Sequence, residues 1–470
     1  MKSNKVNTLG LSSIAIVLFL TVLSGCNPVD VKKNSVDKGW LSINEIIRNI
    51  NAPQFPEKQF VVTDFGAKGD SVTDCTQAFK KAIDACSIAG GGRVIVPKGV
   101  YSTGPIYLKS NVNLCLKDQA RLLFFTSPDK YLPLVYTRFE GIECMNYSPF
   151  IYAINEQNIA ITGKGTLDGQ SDDSNWWAWK GSKDNPGPNQ KEDVKVLNQM
   201  GEDNIPVPER VFGKGHFLRP NFIQFYKCQN ILIDSISIVR SPMWEIHPVL
   251  SENITVQNVN IYSHGPNNDG CNPESCKDVL IRNCVFDTGD DCIAIKSGRN
   301  NDGRRVNVAS ENIIIQGCRM KDGHGGVVIG SEISGSCRNV FAEDCIMDSP
   351  NLDRALRIKT NSMRGGVVEN VYFRNVKVGQ VKEAVILVSF NYQEGDAGKF
   401  TPTVRNIFIK NVTSEKSDYA LFLDCYERSP VKNVYIDSCK FNGVEKGNFI
   451  NHADSLYFNE FYVNGTLMKL

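Results

Sequence analysis

The sequence predicts an all-β solenoid, a parallel β-helix, and three observations carry that reading. First, one phrase recurs eight times between residues 230 and 439: Asn or Asp, an apolar residue, any residue, an apolar residue, then Cys, Val or Ile six places after the Asn or Asp. Second, successive phrases start 23, 25, 34, 27, 31, 36 and 27 residues apart, so a constant motif alternates with loops of variable length. Third, apolar residues two apart have the period of a strand with one face inward, and no helical pattern fits the phrase.

The phrases start at Asn230, Asn253, Asp278, Asn312, Asn339, Asn370, Asn406 and Asn433. Later apolar pairs, Cys284 with Phe286 and Cys318 with Met320, begin a second short strand in each unit. A unit of two or three short strands buries its inner face only by stacking on copies of itself. The Asn and Asp side chains are then expected to form a ladder in left-handed or turn geometry, about 4.8 Å from coil to coil.

A continuous solenoid grows by adding coils, so the 470 residues are read as one elongated domain over 59–470, behind an N-terminal leader. Lys2 and Lys5 give the leader its positive start, Leu9 to Leu23 is apolar and short for a membrane span, and Leu23-Ser24-Gly25-Cys26 closes it. That tetrad resembles the bacterial lipobox, which implies a signal peptide over 1–25 and lipidation at Cys26. The alternative is an ordinary signal peptide with a chance Cys. Residues 26–58 are read as a tether and N-terminal segment. Asn27, rather than Asp, resembles outer-membrane sorting, with either face open, so an exported protein meeting the membrane only through a lipid anchor is expected.

Asp64-Phe65-Gly66 precedes a helix whose apolar face is Ala78, Phe79, Ala82, Ile83 and Cys86, with Thr73 or Asp74 as N-cap and Gly90 to Gly92 as its exit. An amphipathic helix there caps the open edge of the first coil. Gly90-Gly91-Gly92 is no phosphate-binding fingerprint. Between Asp168 and Asn221 lies an insertion, around 170–218, with Trp176, Trp177, Trp179, Pro186 and Pro188. Its length and tryptophans suit one wall of a sugar-binding cleft, or a packed flap.

Charge excludes some partners. With 52 Lys and Arg against 51 Asp and Glu, the net charge of +1 offers no global attraction for nucleic acid or an acidic membrane, so a polyanion must be held by a local patch. Of the 15 cysteines, Cys284, Cys318, Cys345 and Cys439 alternate with Val and Ile at one repeat position, which marks them as stacked core residues. Cys271 with Cys276 and Cys75 with Cys86 are left as candidate disulfides. No metal site is assigned.

The chemistry lies beyond the core strands of four consecutive coils. Asn268-Asp269-Gly270, Gly289-Asp290-Asp291, Gly323-His324-Gly325 and Arg357-Ile358-Lys359 follow the starts at Asn253, Asp278, Asn312 and Asn339. Stacked coils would gather three carboxylates, an imidazole and two cations within roughly 15 Å on one face. Crowded carboxylates raise the pKa of at least one of them, and a protonated carboxyl beside ionised ones is what glycoside hydrolysis requires. Arg357 and Lys359 suit an acidic sugar, their alternative being a salt bridge to neighbouring carboxylates.

This ordered set resembles glycoside hydrolase family 28, the polygalacturonases and their relatives, over about Asp64 to Lys440. The resemblance implies a right-handed parallel β-helix and an inverting hydrolase of α-linked galacturonic acid in pectin, with no metal or other cofactor. Asp290 matches the general acid, Asp269 and Asp291 the residues that activate water, and His324 the histidine supporting the acid. Arg357 and Lys359 match the pair that grips a galacturonate carboxylate. Asn268 stands where the family has Thr and is expected to make a substrate contact. Segments 323–332 and 348–361 look most like bacterial exo-acting members, and the insertion would close one end of the cleft. A rhamnogalacturonan or xylogalacturonan hydrolase is the alternative, followed by a pectate lyase and a non-catalytic glycan-binding β-helix. The expected partner is a pectic polysaccharide or oligogalacturonide, and the expected state a monomer.

Overall fold

The structure is a computed structural model that describes residues 28–181 and 187–469, with side chains of the first helix described from residue 39. The leader and Cys26 lie outside the described residues. Each phrase becomes a strand paired in parallel with the next. Ile231, Ile254, Val279, Ile313, Val340, Val371, Ile407, Val434 and Leu456 form one continuous register. The fold is the right-handed parallel β-helix expected from the sequence.

Two physical requirements explain the invariant first residue of the phrase. All eight adopt φ between 55° and 59°, the left-handed region in which Asn and Asp pay little steric cost. Their side chains also bond along the axis. Asn339 donates to Asn312 at 3.1 Å, Asn370 to Asn339 at 3.1 Å, Asn406 to Asn370 at 3.0 Å and Asn433 to Asn406 at 3.0 Å. Asn312 donates to Asp278 at 2.8 Å. Asp278 has no amide to pass on to Asn253, whose Oδ1 accepts the Asn51 backbone N–H at 2.9 Å instead.

Inside the coils the apolar residues form one continuous core, with Cys284, Cys318, Cys345 and Cys439 stacked among Val and Ile. Every cysteine among the described residues is a free thiol, so neither candidate disulfide forms. Helix α1 spans Pro28–Asn49, and the cap is helix α2, Thr76–Ile88, whose buried face is the five residues expected. Cys75 occupies the N-cap position without a side-chain bond, and Asp74, one residue earlier, accepts from the Thr76 N–H at 3.0 Å.

Residues 26–58 are more than a tether. Helix α1 lays Trp40, Ile43 and Ile46 on the outer face of the solenoid. The covered residues, Leu280, Ile314, Phe341, Tyr372 and Phe408, occupy the free position of successive phrases and therefore point outward in one row. Without the helix this row would be an exposed apolar stripe. Two further helices lie in long loops: α3, Lys191–Glu202, in the insertion, and α4, Asn300–Val306, in the 34-residue gap between Asp278 and Asn312.

Candidate active site

Strands Ile293–Ile295, Val327–Gly330 and Arg354–Lys359 stack in parallel and form the floor of a cleft. Asp290 and Asp291 sit in the turn before Ile293–Ile295, and Asp269 lies one coil earlier, before Cys271, which bridges to Ile293. One carboxylate oxygen from each of Asp269, Asp290 and Asp291 lies within 4.8 Å of the other two. His324 Nδ1 lies 2.9 Å from Asp290 Oδ1. Lys359 Nζ donates to Asp291 Oδ2 at 2.7 Å, and Arg357 Nη1 lies 3.4 Å from Asp291 Oδ1. Both cations are thus salt-bridged to Asp291, and Lys359 also lines the cleft. Gly323, at φ +141°, permits the close stacking: a Cβ there would sit 2.4 Å from the Asp290 carbonyl oxygen.

Asp269 and Asp290 are shifted in opposite directions. Burial is the largest influence on Asp269 and, with the repulsion of Asp290, holds its carboxyl well above the usual range; Asn272 Nδ2, at 2.9 Å, is its close donor. Burial acts in the same direction on Asp290, but the His324 bond and the fields of Lys359 and Lys296 outweigh it and hold that carboxyl low. His324 is raised by its bond to Asp290, against some desolvation. Burial thus favours the neutral form of Asp269, while the Asp290–His324 contact favours an imidazolium beside a carboxylate.

Asn268 corrects an expectation. It is fully buried, and its amide is consumed internally: Oδ1 accepts from Ser263 Oγ and the Gly265 N–H, while Nδ2 donates to the carbonyls of Ser241 and Met243. It props the turn that holds Asp269 and touches no cleft. The neighbouring Asn267 lines the cleft in its place. The tryptophans also behave differently from a sugar-stacking wall. Trp176 packs edge-on against Tyr131 and tilted against Phe150, Trp179 packs tilted against Tyr147, and Trp177 donates to the Ser241 carbonyl. The insertion nevertheless reaches the site through Lys180 and Val194, which line the cleft of about 450 Å³ together with the acids.

Four further cleft residues are absent from the sequence reading. Lys296 Nζ lies 2.9 Å from Glu332 Oε2 and 3.9 Å from Asp269 Oδ2, and 4.6 Å above the Trp244 ring. Tyr392 faces Lys359 and Arg357 at 5.0 and 5.5 Å. The one available signal was the register: Ile295, Ile329 and Ile358 pair in line, so Lys296, Gly330 and Lys359 follow side by side.

Comparison with known proteins adds an independent line. The family model described as glycosyl hydrolases family 28 matches residues 213–456, and one described as rhamnogalacturonase A/epimerase, pectate lyase-like, matches 59–115. The crystal structure of a hyperthermoactive exopolygalacturonase from Thermotoga maritima superposes with a TM-score of 0.89 and 47% identity, covering 92% of this chain and 97% of that one. An exo-poly-alpha-D-galacturonosidase of Dickeya chrysanthemi is 27% identical over 434 residues, 86% of this chain and 70% of its own. A probable polygalacturonase of Vitis vinifera is 28% identical over 393 residues, 80% of this chain and 73% of its own.

Proposed function

The chain belongs to glycosyl hydrolases family 28, and on that premise we propose that it removes galacturonic acid from the end of pectic polygalacturonate with inversion at the anomeric carbon. The observation that carries this reading is three carboxylates within 4.8 Å facing Lys359 and Arg357, the grouping an acidic sugar and its hydrolysis both need. The names of the Dickeya and Thermotoga relatives favour homogalacturonan and exo attack over branched pectins. Lys180 and Val194, through which the insertion narrows the cleft wall, favour the same mode.

In the reaction, Asp290 gives its proton to the departing glycosidic oxygen as the bond from that oxygen to the anomeric carbon breaks. His324 supplies that proton to Asp290. Water attacks the anomeric carbon from the opposite face and loses a proton to Asp291, while Asp269 holds the water in line. Protons balance, one delivered and one collected per turnover.

The same reading makes the enzyme an exported monomer, held at the outer membrane through an acyl chain on Cys26. It rests on Leu23-Ser24-Gly25-Cys26, and helix α1 begins two residues later.

Incubation with defined oligogalacturonides and with rhamnogalacturonan, with products separated over time, tests the assignment. Galacturonic acid monomer should accumulate from the first time points and new reducing ends should appear with chelator present. Unsaturated, ultraviolet-absorbing products would overturn hydrolysis. Asp290→Asn should lower kcat by about 10²–10⁴ while oligogalacturonide still binds; wild-type turnover in that variant would remove Asp290 from its role.

A further inference from the structure

We propose that Lys296 is a second carboxylate-reading cation, which recognises the uronate of the non-reducing terminal sugar, on the other side of the scissile bond from Arg357 and Lys359. This inference rests on the hydrolase reading above and adds to it the residue that selects the terminal sugar.

Position argues first. Lys296, Gly330 and Lys359 are consecutive in one register across three stacked coils, so the two lysines stand roughly 10 Å apart along the axis, two inter-strand spacings. Between them stands Gly330, whose φ of +107° and missing Cβ allow the close approach of the Lys359 backbone, since a Cβ there would meet the Lys359 carbonyl oxygen at 2.0 Å. The acids order the coils. In the mechanism proposed above Asp269, on the coil before Lys296, holds the water, and His324, on the coil after it and 2.9 Å from Asp290, supports the acid. The sugar whose anomeric carbon is attacked therefore lies toward Lys296. The insertion residues Lys180 and Val194 line the same cleft as Lys296 and Trp244.

Chemistry argues second. Lys296 is buried, with its ammonium bonded to Glu332 at 2.9 Å and to the Gly330 carbonyl at 3.3 Å. A buried ion pair of this kind adds little stability over an apolar pair of the same size, so its place in a cleft floor calls for a ligand. Glu332 keeps Lys296 neutralised while the site is empty. An entering uronate carboxylate takes up the remaining donor capacity of the ammonium, and the Trp244 ring under it holds the side chain in place.

The test compares trigalacturonate with an analogue in which only the non-reducing terminal carboxylate is reduced to a primary alcohol. The wild-type chain should lose at least about tenfold in kcat/KM on the reduced substrate, the worth of a charge-assisted bond. In Lys296→Met that penalty should fall below about twofold. Because Lys296→Met leaves Glu332 unpaired and risks the fold, the double variant Lys296→Met/Glu332→Gln removes both charges together, and it should show the same collapse. An effect of Lys296 exerted only through Asp269 would lower both substrates equally and cancel in the ratio. Retention of the wild-type penalty in the folded variants, or no penalty in the wild type, would overturn this assignment alone. A wild-type chain that cleaved neither substrate would overturn the hydrolase reading, and this one with it.

Discussion

His324 Nδ1 stands 2.9 Å from Asp290 Oδ1, and the pair shifts both groups: the imidazole upward, the carboxyl downward against its own burial. In the proposed mechanism the proton that Asp290 delivers is stored on this ring, whose side chain is half exposed to solvent.

The sign of the pH response follows. As pH rises through the raised value of His324, the stored proton is lost and the rate falls. His324→Ala removes the store, so kcat should drop by about 10²-fold or more and the alkaline limb of the profile should move to lower pH. A pH series of kcat/KM for both proteins checks this; an unmoved alkaline limb would detach His324 from the acid.

Stereochemistry offers a sharper test of the trio. Inverting pairs of carboxyls commonly stand about 6.5–9.5 Å apart to admit a water, and pairs at about 5–5.5 Å form a covalent intermediate. Here one oxygen from each of the three lies within 4.8 Å of the others, closer than the usual inverting spacing, so the proposed inversion is put to a direct test. Proton NMR of the first product should show the β-anomer ahead of mutarotation. The α-anomer first would mean retention and a carboxylate nucleophile.

Glu245 lies behind the site, fully buried, with neither carboxyl oxygen hydrogen-bonded among the described residues. Burial, reinforced by Asp269, holds its carboxyl well above the usual range. A folded-state pKa above the unfolded value of about 4.3 gives stability that is full below that pH and is lost as pH rises. Glu245→Gln abolishes the loss. The variant should have a higher urea midpoint than wild type at pH 7, and the difference should vanish near pH 4.

Trp40 anchors helix α1 on the outer row. It is 6% exposed, meets Tyr372 edge-on at 5.0 Å, and carries the Arg374 guanidinium 4.3 Å over its ring. Trp40→Ala should cost about 3 kcal/mol of the free energy holding the helix down. Limited proteolysis in the first fifty residues should then outrun wild type, with the β-helix itself left intact.

The repeated phrase by itself determined the solenoid, the inward residues and the order in which the acids, imidazole and cations meet. Strand period two assigns each apolar residue to a face, and parallel stacking brings equivalent residues of successive coils together. Period says nothing about what covers the outer face, so the row at the free position, Leu280 to Phe408, carried no meaning until α1 lay across it. Turns have no period at all. Whether Asn268 faced a sugar or its own turn, and whether Trp176 lined a wall or a core, depended on backbone groups contributed by other coils. Lys296 was hidden for a related reason: a lysine at a strand end reads as solvated, and only the packing of Glu332, Trp244 and Asp269 around it makes it part of the cleft.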